Sequence, residues 1–344
     1  MRHLLKVGFA AGLFLSSAQA AEGDRAACES SGGDDAIAAC TRLIEESRPR
    51  SPDLGLLYYR GVAHLGKYQQ APGLADLDKA IELNTSLAEA YIARAGANRF
   101  NNKDKERMQR VLADYTKAVE LKPDSYDAHY YRGTFEDWQK DYAGALADYN
   151  KALEIKPNDL STLHMRARFY QHLGDYQRAL ADREALVRLD PWEQRLLDRG
   201  GAYLAVGDYD RALADFDAYE KKRPHDPAVL GGRAAAFEGK GDYARALAEY
   251  NEAISIAPGI VGLYDGRAWT YYKLGKLQEG LADVDNILSH GWKTAAATYC
   301  TRGHILEALG RKQEAIADLR TALSLDPDKR TRDRIDAALA RFGG

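Results

Sequence analysis

An arginine followed by glycine or alanine recurs eight times along this chain of 344 residues. Neighbouring copies lie 33 to 38 residues apart, and they begin at Arg60, Arg94, Arg132, Arg166, Arg199, Arg233, Arg267 and Arg302. A fixed period of this length is typical of repeat proteins, in which each unit buries its apolar face by stacking on its neighbours. The period therefore constrains the fold more strongly than the length, which alone would suggest two domains.

Within each repeat the sequence predicts two helices joined by a tight turn. Gly207-Asp208 marks such a turn, because glycine commonly ends a helix and aspartate caps the next one. Ala212 and Phe216 then lie four residues apart, so they share one apolar face of the second helix. Pro224 closes the repeat, since the residue before a proline disfavours the helical conformation. One repeat is therefore predicted to be a helical hairpin.

This pattern resembles the tetratricopeptide repeat family. The residues that carry the resemblance, with their equivalents in the other units, are Arg199-Gly200, Tyr203, Gly207-Asp208-Tyr209, Ala212, Phe216 and Pro224. The resemblance implies an all-α fold, a right-handed superhelical solenoid of stacked helix-turn-helix hairpins, with eight units over residues 54–329. We expect a degenerate repeat at 21–53 and a capping helix at 330–344, in which Arg334 faces water.

Residues 1–20 predict a cleavable signal peptide. Arg2 and Lys6 precede a short apolar run, and the segment ends in a small-x-small pattern at Ala20. The apolar run is too short to span a bilayer, and no second apolar stretch follows it. We therefore expect cleavage near Ala20, a periplasmic location and no stable membrane insertion; the alternative is an uncleaved anchor.

The three cysteines are interpreted in the light of export, which would place them in an oxidising compartment. Cys28 and Cys40 lie twelve residues apart on either side of a serine- and glycine-rich turn. This arrangement predicts a disulfide between them, and two small buried thiols are the alternative. Cys300 has no such neighbour in the sequence and is expected to be buried and free.

The arginine series itself has two interpretations. Eight guanidinium groups in register could bind an anionic polymer. However, an acidic residue follows the arginine sixteen positions later in seven of the repeats, as Asp215 follows Arg199, and Asp114 follows Arg94 across a longer loop. Half-buried arginines are usually paired with carboxylates, so the sequence favours structural pairs within or between hairpins. The net charge of −3 also argues against a nucleic-acid partner.

The resemblance implies where a ligand would bind, because the first helices of such repeats line a concave groove. Counted from each arginine, the groove positions carry Tyr58, Tyr130, His164, Arg168, Trp269, Tyr272 and His304, and Phe100 and Trp138 lie one residue beyond such positions. Exposed aromatic residues on a rigid concave face are typical binding hot spots. The alternative for each of them is packing against a neighbouring helix.

The motifs of common catalytic sites do not occur in this sequence. It has no phosphate-cradling glycine loop, no His-Glu-x-x-His and no Cys-x-x-Cys. We therefore expect a non-catalytic chain with no cofactor and no metal, which acts as a protein–protein interaction scaffold and binds a peptide or protein segment in its groove. A carbohydrate-binding scaffold in cell-wall or exopolysaccharide assembly is the alternative, with a glycan ligand, and a purely structural spacer is a third possibility.

Overall fold

The computed structural model describes residues 17–30, 32–47, 53–99, 104–290 and 296–343. Within these ranges all regular elements are α-helices, nineteen in number, and they pack as adjacent hairpins. The predicted all-α class of stacked helical hairpins is thus confirmed. No helix in these ranges combines the length and the apolar character that crossing a bilayer requires. The chain divides into two compact units, Met1–Pro157 and Asn158–Gly344.

The first unit consists of four hairpins that share buried residues from one hairpin to the next. Its helices are α1 (Ser17–Glu29), α2 (Asp34–Glu46), α3 (Leu54–Gly66), α4 (Gln70–Leu83), α5 (Ala88–Asn98), α6 (Lys105–Leu121), α7 (Tyr126–Gln139) and α8 (Tyr142–Ile155). Leu77 of α4, Tyr91 of α5 and Ala128 of α7 belong to one buried cluster. Each hairpin therefore completes the core of its neighbour, as expected for stacked repeats.

The N-terminal part of this unit brings together the two cysteines for which a disulfide is predicted. The Sγ atoms of Cys28 and Cys40 lie 2.01 Å apart and connect α1 to α2, and both side chains are buried. Cys300, in the second unit, is buried and free. Most of the predicted signal segment, residues 1–16, lies outside the described residues, whereas Ser17–Ala20 form the first turn of α1.

The second unit consists of five hairpins and a final helix. Its helices are α9 (Leu160–His172), α10 (Tyr176–Leu189), α11 (Glu193–Val206), α12 (Tyr209–Glu220), α13 (Pro227–Gly239), α14 (Tyr243–Ile256), α15 (Val261–Lys273), α16 (Leu277–Ser289), α17 (Ala296–Ala308), α18 (Lys312–Ser324) and α19 (Lys329–Arg341). Leu180, Phe216 and Val229 form part of a core cluster that extends from α10 to α13. Stacking again buries the apolar faces of successive hairpins.

The turns inside the hairpins follow the predicted chemistry. Gly207 has a φ of +81°, the left-handed conformation that glycine adopts without steric cost. The carboxylate of Asp208 then accepts a hydrogen bond from the backbone N–H of Arg211 and caps α12. In the first unit Lys140 takes the left-handed position instead, with a φ of +66°, before Asp141 caps α8.

All eight arginines of the series pair with the acidic residue of their own hairpin. In seven pairs both Nε and Nη2 donate to the two carboxylate oxygens, at 2.6 to 2.9 Å: Arg60–Asp76, Arg94–Asp114, Arg132–Asp148, Arg166–Asp182, Arg199–Asp215, Arg267–Asp283 and Arg302–Asp318. The eighth, Arg233, reaches Glu249 through Nη2 alone, at 2.8 Å. The structural interpretation of the series is therefore confirmed, and the pairs lie within hairpins.

Candidate functional site

Aromatic side chains line a groove on the first unit, which we call the tyrosine groove. It contains two adjoining cavities of about 540 and 410 Å³ that share Arg99 and Tyr131. The larger cavity is also lined by Tyr130, Thr134, Phe135 and Trp138. The smaller is also lined by Tyr58, Val62, Glu89, Ile92, Ala93, Gly96, Tyr115 and Asp127.

Helix α7 supplies most of the aromatic surface because of its sequence spacing. Tyr130, Thr134 and Trp138 lie four residues apart and therefore share one helix face. The ring of Tyr130 stacks on that of Tyr126 at 5.6 Å, and the indole of Trp138 lies 5.8 Å from the ring of Phe135. Trp138 remains 47% exposed, which makes it the most accessible of the large apolar side chains in this groove.

The opposite side of the groove is formed by α3, α5 and α6. Burial raises the pKa of Tyr58 and also that of Tyr115, whose hydroxyl lies near Arg99. Both phenols are therefore neutral at physiological pH and can act as hydrogen-bond donors. Arg99 is shared by both cavities, so a cation is present where they meet.

The structure brings three of the predicted site residues together in the tyrosine groove, namely Tyr58, Tyr130 and Trp138. Phe100 lies outside the described residues. The sequence analysis missed Tyr131, which lines both cavities and meets Tyr130 edge to face at 5.3 Å. Its position between Tyr130, a predicted groove residue, and Arg132 of the arginine series is the sequence signal that could have identified it.

His164 and Arg168, predicted for the same type of surface, lie on α9 in the second unit and have different surroundings. Nη1 of Arg183 lies 2.9 Å from His164 Nδ1 and 3.0 Å from Asp198 Oδ2. Burial, and then the charge of Arg183, lower the pKa of His164, so the imidazole is neutral and accepts the bond. Arg168 is exposed, and its Nη1 lies 3.8 Å from Met165 Sδ.

A half-buried acid of α7, Glu136, has a perturbed pKa. Burial, and then the negative charge of Asp148, raise the pKa of Glu136 to about 7, against the opposing effect of Arg132. Asp148 itself accepts hydrogen bonds from Arg132 and contacts His129 Nδ1 at 2.7 Å. The α7–α8 hairpin thus has a polar network beneath its aromatic surface.

The remaining predicted residues form a second surface at the end of the second unit. Trp269 and Tyr272 of α15 lie 5.0 Å apart, and the ring of His304 from α17 meets both edge to face. They line a cavity of about 470 Å³, which we call the Trp269 pocket, together with Lys273, Glu307, Ala308, Arg334, Ala337 and Arg341. His304 is buried and donates from Nδ1 to the carbonyl of Cys300 at 2.8 Å, and burial lowers its pKa.

The expectation that Arg334 faces water was wrong. Its guanidinium carbon lies 3.6 Å from the centre of the Trp269 ring. The reason is the register of α19, where Arg334, Ala337 and Arg341 share one face through spacings of three and four. That face turns toward α15 and α17, so Arg334 becomes part of the pocket wall.

No group of three or more histidine, cysteine, aspartate or glutamate side chains could hold a metal ion in the ranges that the structure covers. The aromatic and charged groups of the two surfaces offer apolar packing, hydrogen bonds from tyrosines and ion pairs with arginines.

Sequence comparisons match three segments of the chain to family models. Two are described as tetratricopeptide repeat and cover residues 197–259 and 296–329. The third is described as the ETO1 C-terminal domain and covers residues 59–202. No curated protein matches the sequence.

Several solved structures are similar to this chain. A tetratricopeptide repeat protein from Parabacteroides merdae has a TM-score of 0.65 and 25% identity, over 72% of this chain and 99% of that one. The APC/C hetero-tetramer Cut9–Hcn1 has a TM-score of 0.50 and 15% identity, over 89% of this chain and 59% of that one. YrrB, described as a TPR protein with an unusual peptide-binding site, has a TM-score of 0.48 and 24% identity, over 54% of this chain and 95% of that one.

Proposed function

We propose, from the premise that this chain is a tetratricopeptide repeat protein, that it is a protein–protein interaction scaffold and binds a peptide segment of its partner in the tyrosine groove. The observation that carries the proposal is the pair of adjoining, aromatic-lined cavities that meet at Arg99 and Tyr131. Two cavities in a row suit an extended segment that places one side chain in each.

The groove is pre-organised by its own packing. Phe135 is buried beneath Trp138, and Tyr115 is buried against Phe135 with their rings 5.9 Å apart. Side chains held in this way lose little conformational freedom when a ligand arrives, so more of the contact energy appears as affinity. Aromatic residues also bury a large area with few rotatable bonds, which is why they dominate interface hot spots.

A peptide-display selection against the full chain, followed by affinity measurements on variants, tests this proposal. We expect Trp138→Ala and Tyr58→Ala each to weaken binding of the selected peptides by about tenfold or more, since truncation of an aromatic hot spot removes about 2 kcal/mol. Trp192→Ala is the matched control, because Trp192 is a 52% exposed tryptophan at the start of α11, outside the tyrosine groove. Undiminished binding by both groove variants would contradict the proposal. Capture of glycans but no peptides would favour the carbohydrate alternative.

We propose further that the chain is exported to the periplasm. On this proposal residues 1–20 are removed near Ala20, which takes away the first turn of α1 and leaves the Cys28–Cys40 pair intact. The hairpin α1–α2 would then be the degenerate repeat at 21–53, followed by eight units over 54–329 and a capping helix at 330–344.

Mass mapping of protein recovered from the periplasm checks the export proposal. The expected result is a new N-terminus at Ala21 and a single cross-linked peptide that contains Cys28 and Cys40. Cys300 should become alkylated only after unfolding, because it is buried. Alkylation of Cys28 and Cys40 without prior reduction, or an N-terminus at Met1, would count against it.

A further inference from the structure

The Trp269 pocket has an excess of positive charge. Among its lining residues are three cations, Lys273, Arg334 and Arg341, and one anion, Glu307. Arg341 and Glu307 neutralise each other through two hydrogen bonds of 2.8 and 2.6 Å. Two cations therefore remain without a carboxylate of their own at the pocket wall.

Arg334 differs from the eight arginines of the repeat series. Each of those has a carboxylate partner, whereas Arg334 makes no ion pair with any residue in the described ranges, and its Nε and Nη2 are buried there without a hydrogen-bond partner. The carboxyl group of Asp265 on α15 is its electrostatic neighbour, but that group bonds to Thr301 and its Oδ1 likewise has no partner. Nη1 is left as the nitrogen through which the guanidinium can reach the cavity that it lines.

Lys273 brings a second positive charge to the same aromatic ring. Its Nζ lies 5.0 Å from the centre of the Trp269 ring and 5.9 Å from that of Tyr272, and its side chain is exposed. Lys273 and Arg334 thus both approach one indole and line one cavity, so their like charges repel. An anion between them would relieve that repulsion and satisfy a guanidinium that lacks a partner.

We propose that the Trp269 pocket binds an acidic side chain of a partner protein. Arg334 and Lys273 bind its carboxylate, while the faces of Trp269 and Tyr272 take an apolar residue that adjoins it in the partner's sequence. This inference rests on the proposed function and adds the chemistry of a second contact. The ligand is an internal segment with alternating acidic and apolar residues, selected by charge complementarity with the pocket.

Calorimetric titration of the full chain with defined peptides tests the proposal. The probe alternates glutamate and leucine and is acetylated and amidated at its ends; its twin has glutamine in place of each glutamate. We expect the glutamate peptide to bind at least about tenfold more tightly than its twin, since the twin offers no carboxylate to the two cations. We also expect its affinity to fall as salt is raised.

Variants then locate the binding. Lys273→Met and Arg334→Met should each weaken binding of the glutamate peptide by about tenfold, because each removes a cation and keeps the apolar stem. Arg332→Met is the matched control, since Arg332 is an exposed arginine of α19 and does not line the pocket. Lys273 is exposed and makes no ion pair in the described ranges, so its variant should keep the melting temperature even if Arg334→Met lowers it.

Three outcomes would overturn the proposal: equal binding of the glutamate and glutamine peptides, full affinity of Lys273→Met, or no binding of the glutamate peptide. A glutamine peptide with a free C-terminus that binds as tightly as the glutamate peptide would assign the pocket to a chain terminus and also overturn it. If this test fails but binding of the selected peptides still depends on Trp138, the proposal for the tyrosine groove stands. Failure of the Trp138 test with retained glutamate binding would instead move the ligand site to the Trp269 pocket.

Discussion

Replacement of Arg199 by methionine should lower the free energy of unfolding by about 3 kcal/mol, because it leaves a buried carboxylate without a partner. Arg199 donates from Nε and Nη2 to Asp215 at 2.8 and 2.7 Å. The aspartate side chain is only 8% exposed and that of the arginine 23%, so water cannot replace the lost bonds. The methionine keeps most of the apolar stem, which limits the effect to the loss of the charge.

Urea denaturation, monitored by circular dichroism, measures this change in the free energy of unfolding. Two further variants isolate its cause. Arg199→Met combined with Asp215→Leu should recover much of the loss, since no unpaired charge then remains buried. Arg311→Met is the matched control, because Arg311 makes the same two-bond contact with Glu314 at a surface where the two side chains are 45% and 58% exposed. We expect that change to alter stability by less than about 1 kcal/mol. An Arg199→Met protein with unchanged stability and lost peptide binding would instead show that the arginine series binds a ligand.

The contrast between the arginine series and Arg334 shows what the sequence could predict. A period of about 34 residues and a spacing of sixteen both repeat, so the hairpins and the pairing of Arg199 with Asp215 followed from the pattern. Arg334 occurs once, and its contact with Trp269 depends on the register of the last helix against α15 and α17. A single contact of this kind leaves no periodic signal.

A substitution within the repeat pattern also limits what the sequence can predict. Glu249 occupies the acid position of its repeat, and the spacing alone predicts the same pair as elsewhere. Its side chain is one methylene longer, and Glu249 Oε2 and Arg233 Nε are both buried without a hydrogen-bond partner in the described ranges. Burial accordingly raises the pKa of Glu249. The pairing was predictable, whereas its geometry required coordinates.

The candidate site was predictable to a similar extent. Positions counted from the arginines identified Tyr58 and Tyr130, with Trp138 one residue beyond a counted position, because a helix repeats its orientation every three to four residues. The same count also selected His164, but its Nδ1 accepts a hydrogen bond from Arg183 of the next helix. Whether such a residue faces a ligand or a neighbour depends on side chains from another helix, and the periodicity does not contain that information.

Truncation of Phe216 to alanine should lower the free energy of unfolding by about 3 to 5 kcal/mol, the usual effect of removing a buried aromatic ring. Phe216 is 1% exposed and belongs to the core shared by α10 to α13. A β-carbon at Gly200 would lie 2.6 Å from its ring, and one at Gly232 would lie 2.7 Å from it. The ring therefore fills the space between α11 and α13 that the two glycines leave open, and its loss should weaken the contact between hairpins.

A double-mutant cycle between Phe216 and Gly232 tests this arrangement. Gly232→Ala alone should destabilise the protein by about 1 to 3 kcal/mol through overpacking, despite the better helix propensity of alanine. In the Phe216→Ala background the same change meets no ring and fills part of the cavity, so it should be neutral or stabilising. Urea denaturation of the four proteins gives the coupling energy. An equal penalty in both backgrounds would show that Gly232 is needed for its backbone and not for the ring, and that the hairpins are not held together by this contact.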